Sequence, residues 1–289
     1  MMRVGMFLAT NMAVMLVLGI VMSILSKVFG VNLSGGNAAL LVYSAVLGFV
    51  GSLISLFMSK GSAKRSMGVQ IIETPANETE HWLVNTVTRQ AEAAGIGMPE
   101  VGIFNAPEAN AFATGWNKNN ALVAVSTGLM NDMSQNEVEA VLAHEVSHVA
   151  NGDMVTMTLI QGVMNTFVFF FASIIGRFID RAVFKNESGH GFGFYITRTI
   201  AQVALGFLAN IIVMWFSRRR EYRADEGGAK LAGRENMVAA LERLRGSNGH
   251  AEMPSELQAF GISSSHVKKL ARTHPALEDR IAALNNFEG

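Results

Sequence analysis

Four long apolar runs divide the chain. Val4 to Leu25 and Ala38 to Met58 carry no charge, and each is long enough to cross a bilayer core of about 30 Å as a helix. The polar stretch SKVFGVNLSGGN separates them, so the pair predicts a transmembrane hairpin. A cleaved signal peptide is the alternative for the first run, but its apolar stretch is too long and no small-x-small site follows. The third run, Met154 to Gly176, is uncharged but holds Gln161 and Asn165. The fourth, Tyr195 to Phe216, holds Arg198, Gln202 and Asn210. A buried hairpin in a soluble domain competes for these two. Membrane spans are preferred, with the amides paired across the helix interface.

Between the second and third runs the pattern changes. Asn77 and Glu80 form a capping pattern ahead of apolar residues at helical spacing, Trp82, Leu83 and Val87, and Gly95 and Gly97 end that helix. VGIFN, NAFATG and ALVAVSTG read as short strands broken by Pro107, Gly115 and NKNN. Ser134 and Glu137 open a further helix that carries Val138, Val141, Leu142 and Val149 and stops near Gly152.

Composition agrees with membrane insertion: half of the residues are hydrophobic, 16% are charged, and mean hydropathy is +0.29. Net charge is zero, which gives no reason to expect a nucleic-acid partner. Cysteine is absent, which removes disulfides, thiolate ligands and a cysteine nucleophile. Any metal is then held by His, Asp or Glu. Arg3 precedes the first run, Lys60, Lys64 and Arg65 follow the second, and Arg218, Arg219 and Arg220 follow the fourth. These ends, both termini and the region 59–153 are expected to be cytoplasmic. Arg177, Arg181 and Lys185, partly offset by Asp180 and Glu187, weaken that rule in the loop between the third and fourth runs.

The chemistry concentrates in HEVSH, His144 to His148. Histidines four apart on a helix share one face, so their imidazoles can share one ion. Glu145 is one step round, placed to reach a water on that ion and act as general base. A solvated surface pair of histidines is the alternative. A catalytic zinc takes a third protein ligand, and the candidate is EYRAD, where Glu221 and Asp225 are again four apart. One carboxylate can bind metal while the other accepts a hydrogen bond from a ligand imidazole. An ordinary charged helix face is the alternative here. The third and fourth runs lie between the two motifs, and two antiparallel crossings return the chain to the side it left. The hairpin is therefore expected to pair the motifs, within about 10 Å of the membrane edge.

AHEVSHVANGDM, SRRREYRADEGGAKL and THPALEDRIAAL, in that order around these runs, resemble the HtpX/CAAX prenyl-protease family of gluzincins. These are membrane zinc metalloproteases, the resemblance is to the bacterial branch related to the CAAX prenyl proteases, and it covers nearly the whole chain. It implies one zinc per subunit on His144, His148 and Glu221, with Glu145 as catalytic base and Asp225 directed to His144. It implies that His274, in the HP segment, lies near the scissile carbonyl and donates to the oxyanion; a helix-capping histidine is the alternative. It implies that Asn110, Ala111, Phe112, Ala113 and Thr114 pair with extended substrate by strand addition; a plain internal strand is the alternative. It implies an integral α+β protein of the bacterial inner membrane: four transmembrane helices and a mainly helical cytoplasmic zinc-protease domain with a small β-sheet. The expected layout is a transmembrane hairpin at 1–58, protease domain at 59–153, a second hairpin with a short periplasmic loop at 154–216, and the rest of the protease domain at 217–289. The implied work is endoproteolysis of misfolded or damaged membrane proteins at cytoplasmic segments, a stress-linked quality control, with the bilayer and polypeptides as partners and oligomeric state open.

Two rivals stand beside that reading. A protease cutting inside the bilayer needs the HEVSH helix within an apolar span, but NDMSQNEVEA just before it is polar and acidic. A non-enzymatic zinc-stabilised scaffold or metal-transport component needs no general base. His81, His190, His250 and His266 read as surface or loop residues, and 246–266 as a flexible loop that gates the site or is a self-cleavage point.

Overall fold

The structure is a computed structural model that describes residues 36–186, 190–247 and 274–287, with residues 20, 23, 24, 27, 28 and 188. Most of the first apolar run, Arg3, His250, His266 and nearly all of the 246–266 segment lie outside the described residues. The chain divides into two compact units, Met1–Ser55 with Thr158–Val213 and Leu56–Met157 with Met214–Gly289.

The first unit is built from long apolar helices. Helix α1 spans Gly36–Met67, α5 spans Asp153–Ala182 and α6 spans Phe192–Ala232, and all three are long and apolar enough to cross a membrane. Helix α6 has 41 residues, a length of about 60 Å at 1.5 Å per residue, roughly twice a hydrocarbon core. It therefore continues well past Phe216 as one uninterrupted helix that carries Arg218–Arg220 and EYRAD. Helix α1 likewise runs on through Lys60, Lys64 and Arg65. Leu41, Val163, Phe167, Ile200 and Leu208 are exposed, as lipid-facing side chains are. Small residues let helices approach: a Cβ on Gly48 of α1 would lie 2.6 Å from the Gly162 carbonyl oxygen of α5. Gln161 donates to Asn165 at 2.9 Å along α5 itself. This amide pair therefore lies within one helix, because residues four apart are neighbours on a helix surface.

The second unit holds a four-stranded sheet in the order β1-β2-β4-β3. β2 (Glu100–Phe104) and β4 (Ala121–Ser126) are parallel, and β1 (Gln70–Ile71) and β3 (Ala111–Gly115) are the antiparallel edges. Every residue of β4 is buried, as expected for a central strand. Helix α2 (Glu78–Ala94) starts where Asn77 accepts from the Glu80 amide and ends at Gly95 in the left-handed region. After the short α3 (Thr127–Asp132), α4 (Gln135–Ala150) opens with the Ser134–Glu137 capping box. Leu83 and Val87 of α2, Val123 and Val125 of β4, Leu142 and Val146 of α4, Met237 and Leu241 of α7 (Arg234–Ser247), and Leu284 of α8 (Leu277–Asn285) form its core.

Candidate metal centre

Helix α4 is buried between the sheet and its neighbouring helices. From Ala140 to Val149 every residue is buried except Glu145, which is half-buried. This buried stretch thus keeps one charged side chain open to solvent, between two histidines. Two glycines bring the second motif to it. A Cβ on Gly227 would lie 2.5 Å from Ser147 Oγ, and one on Gly228 would lie 3.2 Å from the His144 amide nitrogen. The absence of side chains at these two positions lets the outer half of α6 lie close against α4.

At that contact His144, His148 and Glu221 each turn a ligand atom toward one point, with all of these atoms within 4.8 Å of one another. The Nε2 atoms of His144 and His148 are 3.1 Å apart. They lie 3.6 and 3.4 Å from the Oε2 and Oε1 of Glu221 respectively. Glu221 is completely buried, and among the described residues its Oε1 has no hydrogen-bond partner. A buried carboxylate oxygen without a donor requires an explanation, and a cation shared with two imidazoles provides one.

The far side of each ring is fixed by a carboxylate. Asp225 Oδ1 lies 2.9 Å from His144 Nδ1, and Asp153 Oδ2 lies 2.6 Å from His148 Nδ1. Each Nδ1–H donates to its aspartate, which leaves both Nε2 lone pairs facing the common point. Asp153 is the first residue of α5, brought back beneath His148 by Gly152 in the left-handed region. Arg280 of α8, also buried, forms a two-pronged pair with Asp225, its Nε donating at 2.8 Å. Its Nη1 lies 3.7 Å from Glu221. Neither Asp153 nor Arg280 stands out in the sequence. The aspartate in NGDM carries no helical spacing toward His148, and Arg280 is 55 positions from its partner.

His274 also joins the cluster, its Nδ1 donating to Glu221 Oε2 at 2.7 Å. It does not cap α8, whose N-cap is Ala276 with no side-chain hydrogen bond. The strand expected over Asn110–Thr114 is β3, Ala111–Gly115, an edge strand that packs on α4. His81 and His190 are exposed and apart from the cluster.

The electrostatics favour a cation. Burial opposes charge on His148, but the carboxylates of Asp153 and Glu221 outweigh it and raise the ring to about 9. Burial pushes the Glu221 carboxyl up, but the neighbouring imidazoles of His144, His148 and His274 outweigh it and hold it far below the usual carboxylate range. Burial also opposes charge on Asp225, and Arg280 with His144 outweighs it, again lowering the carboxyl. The site keeps its carboxylates ionised and draws positive charge between them.

An HExxH helix joined by a distant glutamate, in a chain with membrane-spanning helices, defines a membrane-bound metallopeptidase. A model of peptidase family M48 matches residues 77–288, and the chain belongs to that family, which is zinc-dependent. It is 62% identical to "Protease HtpX" of Pseudoalteromonas atlantica over 98% of this chain and 99% of that protein. It is 60% identical to "Protease HtpX homolog" of Thiobacillus denitrificans over 98% of each chain. Among solved structures it is similar to Ste24p of S. mikatae, with TM-score 0.67 and 19% identity. That match covers 98% of this chain and 64% of that one. The likeness to Ste24p is one of fold.

Proposed function

We propose that the chain is a zinc endopeptidase whose His144, His148 and Glu221 hold the ion and whose Glu145 is the catalytic base. The convergence of both Nε2 atoms and a buried, donor-less glutamate oxygen supports this most strongly. Zinc, when bound, supplies Lewis acidity toward the peptide carbonyl and the attacking water. Glu145, the open residue in a buried helix turn, takes the proton of that water and passes it to the leaving amine. Asp225 and Asp153 hold the two rings in the ligating tautomer. His274 donates to the oxyanion as the carbonyl becomes tetrahedral, and Arg280 keeps Asp225 ionised. The substrate backbone adds to the open edge of β3 at Ala111–Thr114, next to the helix that carries Glu145.

The basic residues after the second and fourth apolar runs support a cytoplasmic protease domain in a bacterial inner membrane. The layout is then four spans, with hairpins at 1–58 and 154–216 and the protease domain at 59–153 and 217–289. A site just beyond membrane-spanning helices suits cytoplasmic segments of misfolded membrane proteins, and quality control is the reading adopted here. The test is Glu145→Gln in the purified full-length protein, followed by casein and membrane-protein cleavage and by zinc content. Zinc is retained and cleavage falls by at least about 100-fold. Undiminished cleavage would remove Glu145 from the chemistry. Zinc-dependent folding in a wild-type protein without any cleavage would favour a scaffold.

A further inference from the structure

The first unit ends in a basic cavity unrelated to the metal centre. A cavity of about 320 Å³ is lined by apolar side chains, among them Leu40, Leu47 and Phe169, and by the basic Arg177, His190 and Arg198. A second cavity of about 550 Å³ shares Arg177 and adds Arg181. The Nε atoms of Arg177 and Arg198 are both buried, and among the described residues neither has a hydrogen-bond partner. Arg198 lies over the Phe194 ring at 5.9 Å. Among the described residues no carboxylate pairs with either guanidinium. The nearby Asp180 is fully buried, and its carboxylate accepts from the amides of Gly191 and Phe194 at 2.8 and 3.0 Å and from the Asn186 side chain at 3.0 Å. It closes the loop between α5 and α6, and among the described residues it pairs with neither arginine.

Unpaired guanidinium donors beside a bilayer are costly, and retained ones have an anionic partner. Their position is also unexpected. They sit at the loop end of the hairpin, opposite the end marked by Arg218–Arg220, where topology rules disfavour arginine. We propose that this cavity binds an anionic phospholipid, its phosphodiester held by Arg177 and Arg198 and an acyl chain laid along Leu40, Leu47 and Phe169. Arginine matches two phosphate oxygens at once, and basic pockets between membrane helices are suited to such headgroups. The apolar wall beside the cations selects a lipid over a free anion.

The test uses the full-length protein in detergent, with phosphatidylglycerol, phosphatidylcholine or inorganic phosphate added and bound species counted by native mass spectrometry. Wild type retains phosphatidylglycerol in preference to phosphatidylcholine and shows no saturable binding of phosphate. The double variant Arg177→Gln, Arg198→Gln binds phosphatidylglycerol at least about tenfold more weakly and keeps its protease activity in detergent. Leu47→Trp, which fills the apolar wall and spares both arginines, also lowers lipid retention, so the conclusion does not depend on the folding of the charge variant. Equal retention of phosphatidylglycerol and phosphatidylcholine, or equal retention by wild type and both variants, would overturn the proposal. Saturable phosphate binding as tight as that of the lipid would overturn it in favour of a soluble anion.

Discussion

His144 and His148 each have one ring nitrogen committed to an aspartate and the other to the common point with Glu221. The orienting residues therefore carry consequences that the ligands alone do not. Asp153→Ala frees the His148 ring and lowers zinc affinity by about 10–100-fold, read by competition with a chelator. Asp153→Asn, which still accepts from Nδ1, recovers much of that loss. Unchanged affinity in the alanine variant would mean that Asp153 does no orienting. Arg280 is a different case. It is buried together with Asp225, so Arg280→Met leaves a buried carboxylate without its partner and costs about 3–5 kcal/mol of stability. Thermal unfolding in detergent measures this, and an unshifted melting temperature would contradict it. His144, His148, Glu221 and Asp225, which the structure brings together, were legible in the sequence because each pair lies four apart on one helix, and the family resemblance chose Glu221 over Asp225 as the candidate ligand. Asp153 was not, because its approach to His148 depends on the left-handed turn at Gly152. Arg280 was not, because its contact with Asp225 is purely tertiary.

Edge strand β3 is the element proposed to take extended substrate. Asn110 accepts from the Ser126 amide, so Asn110 and Phe112 bond toward β4 and the backbone of Ala111 and Ala113 faces the open edge. Ala113→Pro removes an outward donor and spares the ladder. It raises KM for unfolded substrates several-fold with little change in melting temperature. A KM equal to wild type would exclude strand addition there. Strands β2 to β4 were readable from short β-rich runs between turn residues. β1 was not, since two residues show no periodicity. The extensions of α1 and α6 were hidden because charged residues after an apolar run read as a stop. In α1 they form a contact: Lys60 lies 3.1 Å from Glu100 at the start of β2, and Lys64 pairs with the same carboxylate. Burial raises the Glu100 carboxyl, but these lysines outweigh it and hold it below its ordinary 4.5. Stability from this pair is present above about pH 4.5 and is lost as pH falls through the lowered value. Glu100→Gln should flatten the fall of melting temperature below that pH, and an unchanged curve would show the pair to be inert.

At the scale of the molecule, two apolar stretches separate the halves of one metal site. Three of the four runs expected to cross the membrane are long apolar helices, and the first lies mostly outside the described residues. Their hydropathy was plain in the sequence. That α4 and the outer half of α6 meet at Gly227 and Gly228 was not, because close approach of two backbones has no periodic signature. Two long apolar helices lie between His148 and Glu221 in the chain, so the proposed zinc site is a point where distant parts of the chain converge. The most direct test is zinc content, by plasma mass spectrometry, of the full-length protein purified in detergent as wild type and as Glu221→Gln. Wild type should hold a single zinc per chain and cleave casein, and the variant should lose both the metal and the cleavage. A Glu221→Gln protein with wild-type zinc and undiminished cleavage would contradict the site described for this chain.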